Sequence, residues 1–146
     1  MSLKLVIFDV DGLLLDTERV WQDVWYDTAR DFGIDDWKRE DFLNVVGRSG
    51  QPVYDYMEEL FSTEEFMKVA RQHGAERLER ELTAKPGAVE LLNCIKKAGL
   101  PCAVATATSR SLTEERLTRL QLIQYFDYIC CGDEVVERKP SPEAYL

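Results

Sequence analysis

The spacing of apolar positions changes along the chain, and each change marks an element. Between Lys4 and Val10, Leu5, Val6, Ile7 and Phe8 form an unbroken apolar run. This predicts a short strand buried on both faces, as in a parallel sheet. Asp9-Val10-Asp11-Gly12 ends it abruptly. From Glu18 to Phe32 the period is helical: Val20, Trp21, Val24, Trp25, Thr28, Ala29 and Phe32 recur at three- and four-residue steps, and Gly33 supplies a stop. Further helices are expected over 38–46, 51–61 and 63–82, the last opened by the capping run Ser62-Thr63-Glu64-Glu65. At Lys85-Pro86-Gly87 the character changes again. Ala88, Val89, Leu91, Leu92, Ile95 and Ala98 mark an amphipathic helix closed by Gly99, and Leu100 to Ala105 reads as a second buried strand. Ser111 to Leu120 is expected to be helical with Leu112, Leu117 and Leu120 on one side. Tyr128 to Cys131 reads as a third strand, and Gly132 to Pro142 as a loop leading into a helix at Glu143.

A strand, a helical insertion, then helix, strand, helix, strand predicts an α/β fold. The expected architecture is a Rossmann-like, doubly wound parallel sheet carrying an inserted all-helical cap. Residues 1–16 and 85–146 would form the core, and residues 17–84 the cap. Only three strands precede Leu146, so the expectation is a core incomplete at its C-terminal end: either the chain is a fragment or the remainder lies outside this sequence. The 146 residues carry 18 Lys+Arg against 27 Asp+Glu, a net charge of −9. That balance argues against a nucleic-acid binder, which needs a basic surface to displace counterions, while leaving room for a small phosphorylated metabolite held by a few local cations. The apolar runs are too short to span a bilayer, and the N-terminal one runs straight into Asp9 without the form of a signal peptide. A cytoplasmic protein without a membrane partner is expected. Cys94, Cys102, Cys130 and Cys131 lack metal-site spacing and read as reduced thiols packed as small hydrophobes. Nothing in the pattern fixes an oligomeric state.

Candidate chemistry gathers at the strand ends. Asp9 and Asp11 follow the first strand, at the carboxyl edge where open α/β sheets bind ligands. Two carboxylates with one residue between them can share a divalent cation and flank a phosphoryl group. A calcium-binding EF-hand loop is excluded, because Gly12 comes too early and Val20 stands where such a loop ends in Glu. Thr106, in Ala105-Thr106-Ala107-Thr108-Ser109-Arg110, follows the second strand and precedes a helix whose amides can hold an anion. Lys139, in Glu137-Arg138-Lys139-Pro140-Ser141-Pro142, follows the third. Each alone is ordinary: Ser and Thr before helices are usually caps, and a loop lysine is usually solvated. Because each follows a separate parallel strand, they converge on one crevice. Phosphoryl transfer through an aspartyl-phosphate requires such a set. A metal ion and Lys139 would neutralise charge, Thr106 would position a phosphoryl oxygen, and a carboxylate nucleophile would split hydrolysis into two steps.

Asp9-Val10-Asp11-Gly12-Leu13-Leu14-Leu15-Asp16-Thr17-Glu18, then Thr106, then Lys139-Pro140-Ser141-Pro142-Glu143, resembles the haloacid dehalogenase superfamily, in its phosphatase and beta-phosphoglucomutase branch with a helical cap. The resemblance runs the length of the chain. It implies that Asp9 is the phosphorylated nucleophile and a magnesium ligand. Asp11 would be the general acid and base, with its backbone carbonyl on the metal. Thr106, with the Ala107 amide, would bind phosphate, and Lys139 would neutralise charge. Gly47-Arg48-Ser49-Gly50 resembles the substrate-specificity loop of such caps, so Arg48 and Ser49 are candidate substrate contacts, as is Arg110. Thr17 and Lys85 to Gly87 would mark the cap linkers. Trp21 stands where the sugar-phosphate mutase tends to carry a histidine, a departure that favours hydrolysis. The sole histidine, His73, reads as a surface residue. The family's fourth, acidic motif is absent from the sequence, which leaves the third magnesium ligand unassigned. The implied function is a magnesium-dependent phosphatase of small phosphorylated metabolites, sugar phosphates in kind. The alternatives are beta-phosphoglucomutase-like transfer and a truncated, noncatalytic phosphate-binding protein, inactive for want of that last acidic motif. A two-component receiver domain also combines an acidic pair, a hydroxyl and a lysine. Its acceptor Asp ends a later strand, whereas Thr106 stands there in this chain.

Overall fold

A computed structural model describes residues 3–36 and 62–146. The chain divides into two units, one of residues 1–16 and 83–146 and the other of residues 17–82. The first unit is built on a parallel sheet of β1 (Val6–Phe8), β2 (Cys102–Ala105) and β3 (Tyr128–Cys130), in that spatial order. Val6, Ile7 and Phe8 of β1 stand opposite Cys102, Ala103 and Val104, and Ala103, Val104 and Ala105 stand opposite Tyr128, Ile129 and Cys130. Central β2 is buried along its whole length, which its small residues Cys-Ala-Val-Ala permit. α3 (Ala88–Lys97) and α4 (Arg110–Arg119) occupy the connections into β2 and β3. The arrangement is the Rossmann-like α/β fold expected, with a helical cap inserted after β1.

Several details depart from the sequence pattern. Among the described residues β1 pairs on one side only, and burial alternates along it: Phe8 is buried, while Leu5 and Ile7 are exposed instead of covered on both faces. α3 buries only Ala88, Leu92 and Ile95, leaving Val89, Leu91 and Cys94 on its outer side. Of the four free cysteines, Cys102 and Cys131 are buried as expected of small hydrophobes. On α4 the covered face is Thr113 and Leu117, and Leu112 faces outward. Positions four apart stack on one face, and Leu112 falls one residue off that row. The element expected from Glu143 is a short 3-10 turn over Pro142–Tyr145, and another, Ile123–Tyr125, precedes β3.

In the second unit α1 (Thr17–Asp31) runs against α2 (Thr63–Glu81). α1 buries Val20, Val24, Thr28 and Ala29, the stripe its period predicts. Phe66, Ala70, Gly74 and Leu78 of α2, four residues apart, present a buried row. At one end of it Trp25 and Phe32 ring centroids lie 5.2 and 5.6 Å from Phe66. Farther along, the Trp21 ring covers Gly74, where a β-carbon would come within 2.6 Å of it. The helices expected over 38–46 and 51–61 lie outside the described residues. Gly74→Ala is therefore expected to push the Trp21 ring off α2 and cost about 1–3 kcal/mol, the usual scale of overpacking. Urea denaturation reads this directly, and an unchanged midpoint contradicts the contact.

Candidate active site

The sharp turn after β1 is held by its own backbone. The Val10 carbonyl accepts from the amides of Leu13, Leu14 and Leu15 at 3.3, 3.0 and 3.0 Å, and the Gly12 amide donates to the Leu15 carbonyl at 2.9 Å. Gly12 has φ +76°, a conformation glycine adopts without the clash a β-carbon brings. Alternation along the extended chain turns Val10 into the core and leaves Asp9 and Asp11 partly exposed. Lys139 Nζ donates to Asp9 Oδ1 at 3.0 Å and to the Ala105 carbonyl, at the end of β2, at 2.7 Å. One ammonium thus joins the ends of β1 and β2 to the loop after β3. Burial works against charge on Lys139, but hydrogen bonds to Asp9 and Tyr145 and their electrostatic pull outweigh it and hold its pKa above the ordinary lysine value.

Thr106 is buried just beyond β2, and its amide donates to the Cys130 carbonyl at 3.0 Å, continuing the ladder to β3. Its Oγ1 accepts from the Thr108 amide at 3.2 Å. A hydroxyl accepting in this way retains its own proton for an incoming acceptor. Asp11 is held at both carboxylate oxygens: Thr108 Oγ1 donates to Oδ2 at 2.7 Å, and Arg116 Nη1 to Oδ1 at 3.0 Å. Neither donor was singled out in the sequence. Thr108, before α4, repeats the hydroxyl of Thr106 two residues on, and Arg116 lies on the Thr113–Leu117 side of α4; those spacings are the local traces the two residues leave in the sequence. Ala107 is exposed on the intervening turn, with its carbonyl directly over Gly132.

Arg110 goes elsewhere. Its guanidinium donates to both carboxylate oxygens of Glu134, to Glu114 and to the Ile129 carbonyl, each at 2.7 Å. Hydrogen bonds to Glu134 and Glu114 raise its pKa further. This residue ties α4 to β3 and the loop beyond it, and the structure does not bring it to the Asp9–Lys139 pair. The Arg110 amide, at the start of α4, donates to Asp133 Oδ1 at 3.0 Å, so the anion received there is the chain's own carboxylate. Cys131, Asp133 and Glu134 place donor atoms within 4.8 Å of one another, but Glu134 is engaged by Arg110 and by the Cys131 amide. Arg48 and Ser49 lie outside the described residues. His73 pairs with Asp31 at 3.0 Å within the helical unit.

The loop carrying Lys139 is braced by Glu143, whose carboxylate accepts from the amides of Val136 and Glu137 at 2.9 and 2.8 Å. Those bonds, from Glu137 and then Val136, lower the Glu143 pKa. For a metal ion, the donors near Asp9 are hard oxygens. The bonds that close the β1 turn fall on the Val10 and Leu15 carbonyls and leave the Asp11 carbonyl outside them, on the same turn as the Asp9 carboxylate. That donor set suits magnesium, which takes one or two protein oxygens and completes its shell with water and phosphate oxygens.

The model of the haloacid dehalogenase-like hydrolases matches residues 6–146. A phosphorylated carbohydrates phosphatase from Thermotoga maritima is 34% identical over 148 residues, spanning 99% of this chain and 68% of the relative. Hexitol phosphatase B of Escherichia coli is 28% identical over 153 residues, spanning 99% of this chain and 68% of the relative. Among solved structures, CbbY from Rhodobacter sphaeroides in complex with phosphate superposes with a TM-score of 0.68 at 27% identity, over 99% of this chain and 70% of that one. The chain belongs to the haloacid dehalogenase-like hydrolase family, in its phosphatase branch, and as a member it is a hydrolase.

Two expectations follow from the site's scaffold. In Gly132→Ala the new methyl would stand 2.1 Å from the Ala107 carbonyl oxygen, a backbone atom with little room to give. A loss of about 1–3 kcal/mol in thermal or urea unfolding is expected, and a neutral variant contradicts the close approach. Glu143 has a folded-state pKa below its ordinary 4.5, so its contribution is present above that value and lost as pH falls through the lowered one. Glu143→Gln is expected to melt below the wild type at neutral pH, with the gap closing as the medium is acidified below about pH 4.5. A gap that widens on acidification contradicts the bracing role.

Proposed function

We propose that this chain is a magnesium-dependent phosphatase of small phosphorylated metabolites, working through an aspartyl-phosphate on Asp9. The observation that carries the reading is the Asp9 carboxylate at the tip of β1, 43% exposed, with the Lys139 ammonium 3.0 Å away. An anionic nucleophile can approach an anionic ester only where cationic charge offsets the repulsion, and Lys139 supplies it from within the site. In the first step an Asp9 oxygen bonds to phosphorus as the bond to the leaving oxygen breaks, and that oxygen takes a proton from Asp11. In the second, water gives a proton to Asp11 and attacks phosphorus, releasing inorganic phosphate and restoring the Asp9 carboxylate. Thr106 donates its hydroxyl to a phosphoryl oxygen, aided by the Ala107 amide. Magnesium, held by the Asp9 carboxylate and the Asp11 carbonyl, would add positive charge against the phosphoryl oxygens.

The phosphorylated-carbohydrate and hexitol names of the relatives support sugar phosphate-like monoesters as the substrate class. Hydrolysis is preferred to beta-phosphoglucomutase-like transfer because Trp21 is committed to packing on Gly74 and provides no imidazole. The cytoplasm is the compartment that fits such metabolites, and among the described residues no helix is long and apolar enough to cross a membrane.

The test is phosphate release from p-nitrophenyl phosphate and a panel of sugar phosphates, with magnesium and with excess chelator. Turnover is expected only with magnesium. Asp9→Asn should lower it about a thousandfold or more, on the scale of losing a covalent nucleophile, and Lys139→Met about a hundredfold, on the scale of losing one transition-state donor. Undiminished turnover in Asp9→Asn would falsify the reading.

A further inference from the structure

Arg116 contacts the candidate acid, and the two chemical steps above give it no task. Its guanidinium reaches Asp11 across 105 residues of sequence, and its side chain is only 12% exposed against 31% for Asp11. The two donors on the Asp11 carboxylate differ in kind. Arg116, on Oδ1, has only N–H donors and keeps its charge, so an oxygen facing it gains nothing from a proton. Thr108, on Oδ2, presents a rotatable hydroxyl, which donates to a bare carboxylate oxygen and can turn aside when that oxygen carries a proton, leaving the proton for the leaving oxygen. Thr108 is also tied through its amide to the Thr106 hydroxyl, so Oδ2 faces the turn that holds the phosphate-binding threonine.

Resting on the phosphatase reading, we propose that Arg116 is a positioning residue for the acid. It pins Oδ1 towards α4 and thereby turns Oδ2, as the proton-bearing oxygen, towards the phosphoryl site. In the first step the Oδ2–H bond breaks and its proton goes to the leaving oxygen. That oxygen keeps the electron pair of the broken phosphorus bond, and Asp9 forms the new one. Arg116 neither gains nor loses a proton. Without it the carboxylate can turn either oxygen to Thr108 or to solvent, and a proton is presented in the right direction less often.

A misdirected proton matters most when the leaving group needs one. p-Nitrophenolate leaves readily unprotonated, whereas the alkoxide of a sugar phosphate does not. The experiment compares kcat/KM, which reports steps through the first irreversible one, for p-nitrophenyl phosphate and glucose 6-phosphate in the full chain. It uses wild type, Arg116→Met, Arg116→Lys and Asp9→Asn, with circular dichroism to establish folding. Arg116→Met is expected to lose about tenfold or more on the sugar phosphate beyond any loss on the aryl ester, within the range of general acid catalysis. Arg116→Lys, with one charged donor retained, should recover part of it. Equal losses on both esters, or a gain on the sugar phosphate, overturn the inference while Asp9-dependent turnover leaves the phosphatase reading standing. Should Arg116→Met not fold, Arg116→Lys decides: a selective loss of about threefold or more, as a loosened proton donor gives, supports it, and an unchanged ratio overturns it. A wild type inactive on both esters overturns the phosphatase reading and this inference together.

Discussion

Between the tips of β1 and β2, the Lys139 ammonium is shared by the Asp9 carboxylate at 3.0 Å and the Ala105 carbonyl at 2.7 Å. The rest of the site depends on this placement. The two partners of the ion pair are 130 positions apart in the chain and meet because parallel strands deliver their carboxyl ends to one edge. Partial burial disfavours the ammonium, and its pKa is nevertheless raised, so the surrounding acceptors outweigh desolvation. In the proposed reaction, a cation kept charged beside the Asp9 carboxylate offsets the repulsion between that carboxylate and an anionic ester.

Around the pair, the scaffold removes slack from each loop. Gly12 folds the β1 turn, and Gly132 lets the loop after β3 lie against Ala107, with its amide on the Thr108 carbonyl at 2.9 Å. Arg110, Asp133 and Glu134 fasten the start of α4 to the end of β3. Glu143 closes the segment that presents Lys139, and the Tyr145 ring lies 5.4 Å from the ammonium. These contacts are mostly charged groups on backbone amides and carbonyls. They fix loop geometry more sharply than apolar packing does.

Much of this was legible in the sequence because the signals were local. An apolar run stopped by Asp-Val-Asp-Gly, a 3.6-residue stripe from Val20 to Ala29, and glycines at helix ends each reflect one element's own geometry. The meeting of Asp9 with Lys139, which no local period contains, followed from placing each after a separate parallel strand, and the family resemblance added the roles of the two residues. What escaped was tertiary. Leu112 looked like core because leucine usually is, yet Thr113 occupies the covered face beside Leu117. Leu5 and Ile7 looked buried because an apolar run carries no record of which face of a strand will be covered. The contact of Arg116 with Asp11 has no counterpart in the sequence reading, since only the folded chain brings the two together, and Arg110 looked like a ligand group because one of the acidic residues that engage it lies after the next strand.

The most direct measurement is the location of the phosphoryl group during turnover. The chain is mixed with a sugar phosphate and magnesium, quenched in acid within milliseconds, digested and sequenced by tandem mass spectrometry. The account predicts an acid-stable, base-labile phosphoryl group on Asp9 in the wild type, with none on Asp11. Steady release of phosphate with the label on another side chain, or with no covalent label at any quench time, contradicts it.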